Sequence, residues 1–319
     1  MVALALVLVL IGRYLRIWIV DWIMPSRSRV LPEFHMYLRM LSHFKAVILI
    51  LFLSEGMCTG LQFLSIPSSA NDLIVFRSPW RNPSFLNALE KSPELSFAYG
   101  KWFGETENLS FKWRGKIRSK SAGISMRYVG INDIELRGNT PSSEPLGYYG
   151  AYGVSTKAAT SFSKGNIDYG FALQIISMQI YQDVSTGVAA DLGISWQVSK
   201  KINLAGSVTN VGKMNTFRNE RPILPSKINS ILSYKINNTD IFFSFESNEL
   251  IEKPIYSIGS ALKIDNIFFG ATAMMNKDTK IISSGIGINL GSYSFSYGFQ
   301  YGNQDIGFPQ IIDISFRLP

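Results

Sequence analysis

Covalent catalysis and zinc binding depend largely on Cys and His side chains, and this chain contains few of either. It has one cysteine, Cys58, and two histidines, His35 and His43. All three stand within the first sixty residues, which have the features of an export leader, as argued below. A chain cleaved after that leader would hold no Cys–His or Ser–His–Asp arrangement, no disulfide and no ordinary zinc site. We therefore predict no enzymatic activity, no cofactor and no metal site.

Four charged side chains remain as candidates for binding chemistry, because each stands in a segment that alternates between apolar and polar residues. They are Arg127, Asp191, Asp313 and Arg317. The alternation is that of a β-strand, and it assigns all four to the polar face, which in a membrane barrel is the lumen. Charges placed there are more often paired scaffold than ligand contacts. We predict that they are lumenal charges that pair across the lumen or with a plug.

The composition narrows the class of protein further. Hydrophobic residues make up 46% of the 319 residues, aromatic residues 13% and charged residues only 17%, which is low for a soluble domain. The net charge of +8 is spread along the chain without a basic run. Nucleic-acid binding is therefore not expected.

The elements that carry these charges are predicted to be β-strands, because apolar and polar residues alternate with a period of two from Leu95 to the C-terminus. Aromatic residues at 293, 295, 297, 299 and 301 alternate with Ser, Gly and Gln. A soluble sandwich also alternates, but three features favour a membrane barrel. The apolar face is aromatic towards strand ends, the other face is rich in Gly, Ser and Ala, and the segments are often longer than soluble strands.

Fourteen such segments can be counted between residue 94 and the C-terminus. The connections between them alternate between longer and shorter, and the short ones carry Asn, Asp and Gly, which suit tight hairpins. Long loops at one rim and tight turns at the other are typical of outer-membrane barrels. The fold predicted for residues 94–319 is all-β, a closed antiparallel transmembrane β-barrel of about 14 strands.

One predicted strand changes phase. Apolar residues occupy odd positions from Ile167 to Ile175 and even positions from Ile176 to Ile180. Either a β-bulge near Ile175 restores the phase, or the strand rises above the membrane at that point. We favour the second interpretation.

Residues 1–60 are predicted to be an over-extended start followed by a signal peptide. Lys45 and the apolar run 46–53 have the layout of a secretory signal, with cleavage expected near Gly60. Two alternatives are a lipidated Cys58 and a membrane anchor formed by the first apolar run. Residues 61–93 contain four prolines and no alternation. We predict that they form a plug of coil and short helix in the lumen, the alternative being a disordered leader.

Short motifs in the chain resemble those of the PorV/PorQ family of outer-membrane proteins. The resemblance rests on Asn210-Val211-Gly212, Leu224-Pro225, Asp191-Leu192-Gly193 and Asn82-Pro83, taken in their order and spacing. The chain departs from the family pattern in a short stretch before Asn82 and in ending on Pro319 rather than an aromatic residue. Asn, Gly and Pro have conformational roles, so we predict that Asn210 and Gly212 mark where a strand leaves the barrel and that Pro225 starts a strand.

The resemblance implies a barrel similar to the FadL-type fatty-acid transporters. It also implies a role in type IX protein secretion or in surface attachment of cargo, with lipid, secretion machinery and secreted proteins that carry a C-terminal sorting domain as partners. The loops 133–147 and 213–223 would then contact those proteins. Two alternatives remain open, a FadL-like channel for hydrophobic small molecules and a structural protein without transport. In each case the expected location is the bacterial outer membrane, reached by Sec-type export.

Overall fold

The computed structural model of the chain describes residues 61–318, except 76, 88–91, 119, 140–142 and 304–306. The predictions for the signal peptide, for Cys58 and for an early membrane anchor fall on residues 1–60 and lie outside the described residues. In the part of the chain that is described, no helix is long and apolar enough to cross a membrane.

The described chain folds into a closed barrel of fourteen antiparallel strands, which confirms the predicted fold class. Each strand pairs with its neighbours in sequence, and β1 pairs with β14 to close the ring. The strands are β1 Glu94–Lys101, β2 Glu107–Ile117, β3 Lys120–Leu136, β4 Gly147–Lys164, β5 Ile167–Ile180, β6 Asp183–Gln197, β7 Ile202–Met214, β8 Lys227–Ile236, β9 Thr239–Asn248, β10 Ile251–Ile264, β11 Ile267–Met275, β12 Lys280–Leu290, β13 Tyr293–Gly302 and β14 Gln310–Arg317.

The two faces of the barrel wall differ as the alternation predicts. Large apolar side chains such as Phe97, Ile282 and Ile312 point outwards and are more than half exposed. Their inward neighbours are small or polar, as at Ala98, Ser283 and Asp313, and are buried. Contact of such an outward apolar surface with lipid hydrocarbon is favourable, whereas its exposure to water would be unfavourable.

The phase change in β5 is not caused by a β-bulge near Ile175. β5 pairs with β4 and β6 without a register shift, and burial alternates regularly along it. The bulge near Ile175 is therefore absent. Ile176 and Met178 point into the lumen, where they pack with Leu61 and Leu224. Apolar side chains occur on the inner face here because another part of the chain covers them.

The two ends of the barrel are unlike. Six connections at one end are short, and five of them contain a residue with positive φ, namely Arg118, Gly165, Asn237, Asp265 and Gly291. That backbone conformation is what tight hairpin turns require. We term this end the turn rim. The opposite end, the loop rim, carries the longer connections, including residues 137–146, 215–226 and 303–309.

Residues 61–87 lie inside the barrel and form what we term the plug. It consists of a 3₁₀ helix Gln62–Ser65, a short α-helix, α1 (Ala70–Ile74), and a second 3₁₀ helix Pro83–Leu86. α1 contacts β10 to β14, whereas the second 3₁₀ helix contacts β3 to β6 on the opposite side of the ring. Ser69 caps α1 through its side chain, which accepts a hydrogen bond from the Asp72 N–H.

Candidate functional site: the plugged lumen

Three cavities follow one another along the lumen around the plug. The cavity at the loop rim has a volume of about 700 Å³, the central one about 100 Å³ and the one at the turn rim about 240 Å³. Ile66 and Arg81 line both the first and the second cavity, and Asp72 lines both the second and the third. The plug therefore leaves the lumen widest at the loop rim and narrowest at its centre.

The loop-rim cavity is walled largely by apolar side chains. Phe63 of the plug, Trp102 in the β1–β2 connection, Met178 of β5, Ile255 of β10 and Ile281 of β12 all contribute to it. Its charged groups lie on the side towards the centre of the barrel. They include Arg81 and the ion pair between Lys227 Nζ and Glu246 Oε1, which are 3.1 Å apart. The cavity thus offers an apolar space with one charged boundary.

Charged residues of the wall contact the plug around the central and turn-rim cavities. Lys112 Nζ of β2 lies 3.4 Å from Asp72 Oδ2 of α1. Arg127 donates through Nε to Asn108 Oδ1 at 3.1 Å. Asn108 in turn donates to the carbonyl oxygen of Pro67 at 3.0 Å. One ion pair and one chain of hydrogen bonds therefore tie the wall to the plug away from bulk water.

Asp313 of β14 holds the first turn of α1. Its Oδ2 accepts a hydrogen bond from the Ala70 N–H at 2.9 Å and a longer one from the Asn71 N–H at 3.4 Å. These are N–H groups of the first turn, which have no partner within the helix itself. Asp313 therefore lies in the lumen and supports the position of the plug helix.

The ionisation of Asp72 depends on its surroundings. Burial alone would raise the pKa of this carboxyl, but Lys112 and Arg81 act in the opposite direction, as do hydrogen bonds from Ser78 and Ser68. Their combined effect outweighs burial and lowers the pKa of Asp72 below its ordinary value of 3.8. The carboxylate consequently stays charged throughout neutral and mildly acidic conditions.

Replacing Asp72 with asparagine should lower the free energy of unfolding by about 1–3 kcal/mol, since charged hydrogen bonds are lost. A lowered native pKa gives a stabilisation that is complete above 3.8 and is lost only as the pH falls through the lower value. The difference between wild type and Asp72→Asn should therefore be the same at pH 7 and pH 5. Urea unfolding in lipid vesicles at the two pH values would measure it, and a difference that vanishes at pH 5 would contradict the assignment.

Asn82 fixes the second half of the plug. Its Nδ2 donates to the backbone oxygens of Gly206 at 3.0 Å and Ile194 at 3.3 Å, while its Oδ1 accepts from the Ser84 N–H at 3.0 Å. Gly193 of the wall packs directly against Asn82, and Gly170 packs against the Pro83–Ser84 backbone. A Cβ atom at either glycine would collide with the plug. Glycine is thus needed at both positions because the plug approaches the wall so closely.

Asp191 of β6 is linked to two neighbouring parts of the wall and, indirectly, to the plug. It is 1% exposed, and its Oδ1 accepts a hydrogen bond from the Asn210 N–H at 2.7 Å. Its Oδ2 forms an ion pair with Lys157 Nζ at 2.5 Å. Lys157 also donates to the carbonyl oxygen of Trp80 in the plug at 3.3 Å. One buried carboxylate therefore links β4, β6, β7 and, through Lys157, the plug.

The structure places the motif residues Asn210 and Gly212 in the last five residues of β7, beside a register shift in its pairing with β6. Asn210 has φ 59°, which asparagine tolerates better than most residues, and its side chain donates to the Pro225 carbonyl oxygen at 3.2 Å. Gly212 passes close to the Val188 and Ala189 backbone. Pro225, with Leu224, precedes β8 rather than starting it.

The predicted residues lie in two groups around the plug, with one exception. The family-motif residues of β6, β7 and the β7–β8 connection contact one another or Asn82 of the plug, whereas Arg127 of β3 and Asp313 of β14 contact the first half of the plug. Arg317 is apart from them, at the turn-rim end of β14, where its N–H donates to the Ser292 carbonyl oxygen. The sequence analysis missed Asn108, Lys112 and Lys157 as plug contacts. Their position on the inward face of a strand was the available signal.

No protein-family profile matches the chain, and no curated protein matches it in sequence. Solved structures do match the fold. The Pseudomonas putida toluene transporter TodX matches with a TM-score of 0.60 and 8% identity, over 84% of this chain and 99% of TodX. The Ralstonia pickettii toluene transporter TbuX gives 0.58 and 7%, over 80% and 99%. The monoaromatic hydrocarbon channel CymD gives 0.55 and 10%, over 81% and 96%.

These matches define the class of protein at the level of its fold. The chain is a closed 14-strand antiparallel barrel of the FadL-like type. The matched structures are transporters and channels, and they give no support to the PorV/PorQ assignment that the motifs suggested.

Proposed function

We propose that this protein is an outer-membrane channel for small hydrophobic molecules, which enter from the loop rim and occupy the loop-rim cavity. The observation that carries the proposal is the apolar cavity of about 700 Å³ between the plug and the loop rim. Its volume is within the roughly 300–1,000 Å³ that is typical of small-molecule sites. Transfer of an apolar molecule from water into such a space is favourable in proportion to the area that is buried.

The barrel wall supports the proposed location. Outward side chains of neighbouring strands, such as Phe243 and Tyr256, are exposed and apolar or aromatic, and hydrocarbon is the medium that suits them. Every strand is paired on both sides, so no strand edge is left unpaired in the lipid. The matched transporters and channels have the same kind of barrel.

The charged centre of the lumen favours retention of an apolar molecule in the cavity above it. Lys227 and Glu246 form the boundary, and the central cavity has a volume of only about 100 Å³. An apolar molecule that moved there would displace water from charged groups without replacing their hydrogen bonds. The loop-rim cavity is therefore the site where we expect binding to be measured.

Ile281 and Ile282 of β12 provide a matched pair for the test. Ile281 lines the loop-rim cavity, whereas Ile282 is 57% exposed on the outer face. Ile281→Trp should fill part of the cavity and weaken toluene binding roughly tenfold or more, which corresponds to about 1.4 kcal/mol. Ile282→Trp should bind toluene as the wild type does.

Toluene binding to the purified, full-length protein can be followed by isothermal titration calorimetry in detergent. The expected heat-capacity change is negative, because apolar surface is buried. Absence of toluene binding by the wild type, or equal binding by both tryptophan variants, would overturn the proposed function.

A further inference from the structure

Basic side chains at the turn rim are concentrated under one half of the barrel. We term them the basic arc: Arg118, Lys120, Lys164, Lys200 and Lys201. All five are exposed, and they lie in the β2–β3, β4–β5 and β6–β7 connections or on the strand residue next to one, and these three connections lie side by side in the ring. The other three turns at this rim are Asn237–Asn238, Asp265–Asn266 and Gly291–Ser292, and they contain no basic residue. Lys235 and Lys263 precede two of them by two residues, but they are in phase with the inward-facing Ser233 and Ser257 and so follow the lumenal face of their strands.

The charges of the basic arc are not neutralised by neighbouring carboxylates. Within the described residues, none of the five takes part in an ion pair, whereas exposed pairs do occur at the loop rim. Arg218 pairs there with Asp183, and Lys253 with Asp278. Asp168, the carboxylate nearest in sequence to Lys164, accepts hydrogen bonds from Ser163 and Asn87 instead.

The residues next to the basic arc indicate its depth in the membrane. Ile117, Phe162 and Trp196 are outward-facing and 57%, 56% and 47% exposed, and each stands within a few residues of a basic-arc side chain. Phe162 stacks on Tyr169 with ring centroids 5.3 Å apart. Aromatic rings beside long basic side chains are typical of the boundary between hydrocarbon and headgroups, where the charged ends extend into the polar layer.

We propose that the basic arc binds the headgroups of anionic phospholipids in the leaflet that borders the turn rim. Six adjacent strands at roughly 4.8 Å spacing give the arc a width of about 25 Å, enough to meet several headgroups. The arc continues the lipid-facing surface, so lipid phosphates are the anions that lie at its level. Attraction of this kind adds up over several basic residues and is weakened by salt. The proposal rests on the membrane location and not on the binding of small molecules.

The test is made with the full-length protein in nanodiscs that contain equal amounts of phosphatidylcholine and phosphatidylglycerol. Lipids retained by the released protein are counted by native mass spectrometry. The wild type should retain phosphatidylglycerol over phosphatidylcholine by roughly twofold or more, and the preference should fall in high salt. Changing all five basic-arc residues to glutamine should abolish the preference.

A matched control removes five exposed basic residues at the loop rim that likewise form no ion pair in the described structure. They are Lys101, Lys213, Arg221, Lys277 and Lys280. This variant should keep the preference for phosphatidylglycerol. No preference in the wild type, equal loss in both variants, or a preference that persists in the basic-arc variant would each overturn the proposal.

Two further measurements keep these outcomes interpretable. Heat-modifiable migration in gel electrophoresis establishes that each variant is a folded barrel. If the fivefold variant does not fold, a triple variant with glutamine at Lys164, Lys200 and Lys201 is used, and it should lose part of the preference for phosphatidylglycerol. Toluene binding should be the same in the basic-arc variant and the wild type. A wild type that binds no toluene but prefers phosphatidylglycerol would overturn the proposed function and leave the basic arc standing.

Discussion

Replacement of Asp191 by alanine is expected to destabilise the barrel by roughly 3–5 kcal/mol, because it leaves the Lys157 ammonium without its buried partner. The same change removes the acceptor of the Asn210 N–H, which lies beside the register shift between β6 and β7. Lys157 would also lose the contact that orients it towards the Trp80 carbonyl oxygen. Urea unfolding in lipid vesicles measures the change in free energy.

A double variant separates the charge from the packing. Lys157→Met removes the uncompensated ammonium, so adding it to Asp191→Ala should recover part of the lost stability. Asp191→Asn keeps an acceptor for the Asn210 N–H and should fall between wild type and Asp191→Ala. If Asp191→Ala unfolds within about 0.5 kcal/mol of the wild type, the carboxylate is not the buried link that the geometry indicates.

Deletion of residues 62–87 is expected to open the lumen to ions. The plug contacts both sides of the ring, and it reduces the central cavity to about 100 Å³. Large barrels of this kind hold an aqueous channel once their lumen is unobstructed. Conductance in planar bilayers should therefore rise by roughly tenfold or more over that of the wild type.

Single glycine variants test the same conclusion without a deletion. Gly170→Val places side-chain atoms where the Pro83–Ser84 backbone lies, so it should displace the second half of the plug and raise conductance to a smaller extent. Gly206→Ala is the control, since a Cβ there would come no nearer than 3.7 Å to its surroundings. A plugless protein that conducts no better than the wild type would contradict the role of residues 62–87 as the obstruction.

The barrel could be predicted from the sequence because its main signal is local. The alternation of apolar and polar residues identifies each strand and assigns Asp191 and Asp313 to the inner face. This assignment does not depend on residues that are distant in sequence. The end of a strand depends on pairing, and β3 continues to Leu136 because its pairing with β4 resumes after a register shift between Ile131 and Ile134.

The contacts of the plug could not be predicted, because they join residues far apart in sequence. Asp72 and Lys112 are 40 residues apart, and Ala70 and Asp313 are 243 apart. No local pattern specifies such pairs. The same limit applies to Ile176. An apolar residue on the inner face contradicts the rule for an open lumen, and only the presence of Leu61 against it accounts for the exception.

The closure of β1 on β14 has a consequence for how the barrel is assembled. The two strands are the first and the last of the barrel. Because they are far apart in sequence, their pairing has a high cost in loop-closure entropy. The plug precedes β1, yet α1 already contacts β14 while the second 3₁₀ helix contacts β3 to β6. An N-terminal segment that binds both early and late strands shortens the search for the final pairing. We expect the plug to act as an internal template, so that barrels without it close more slowly.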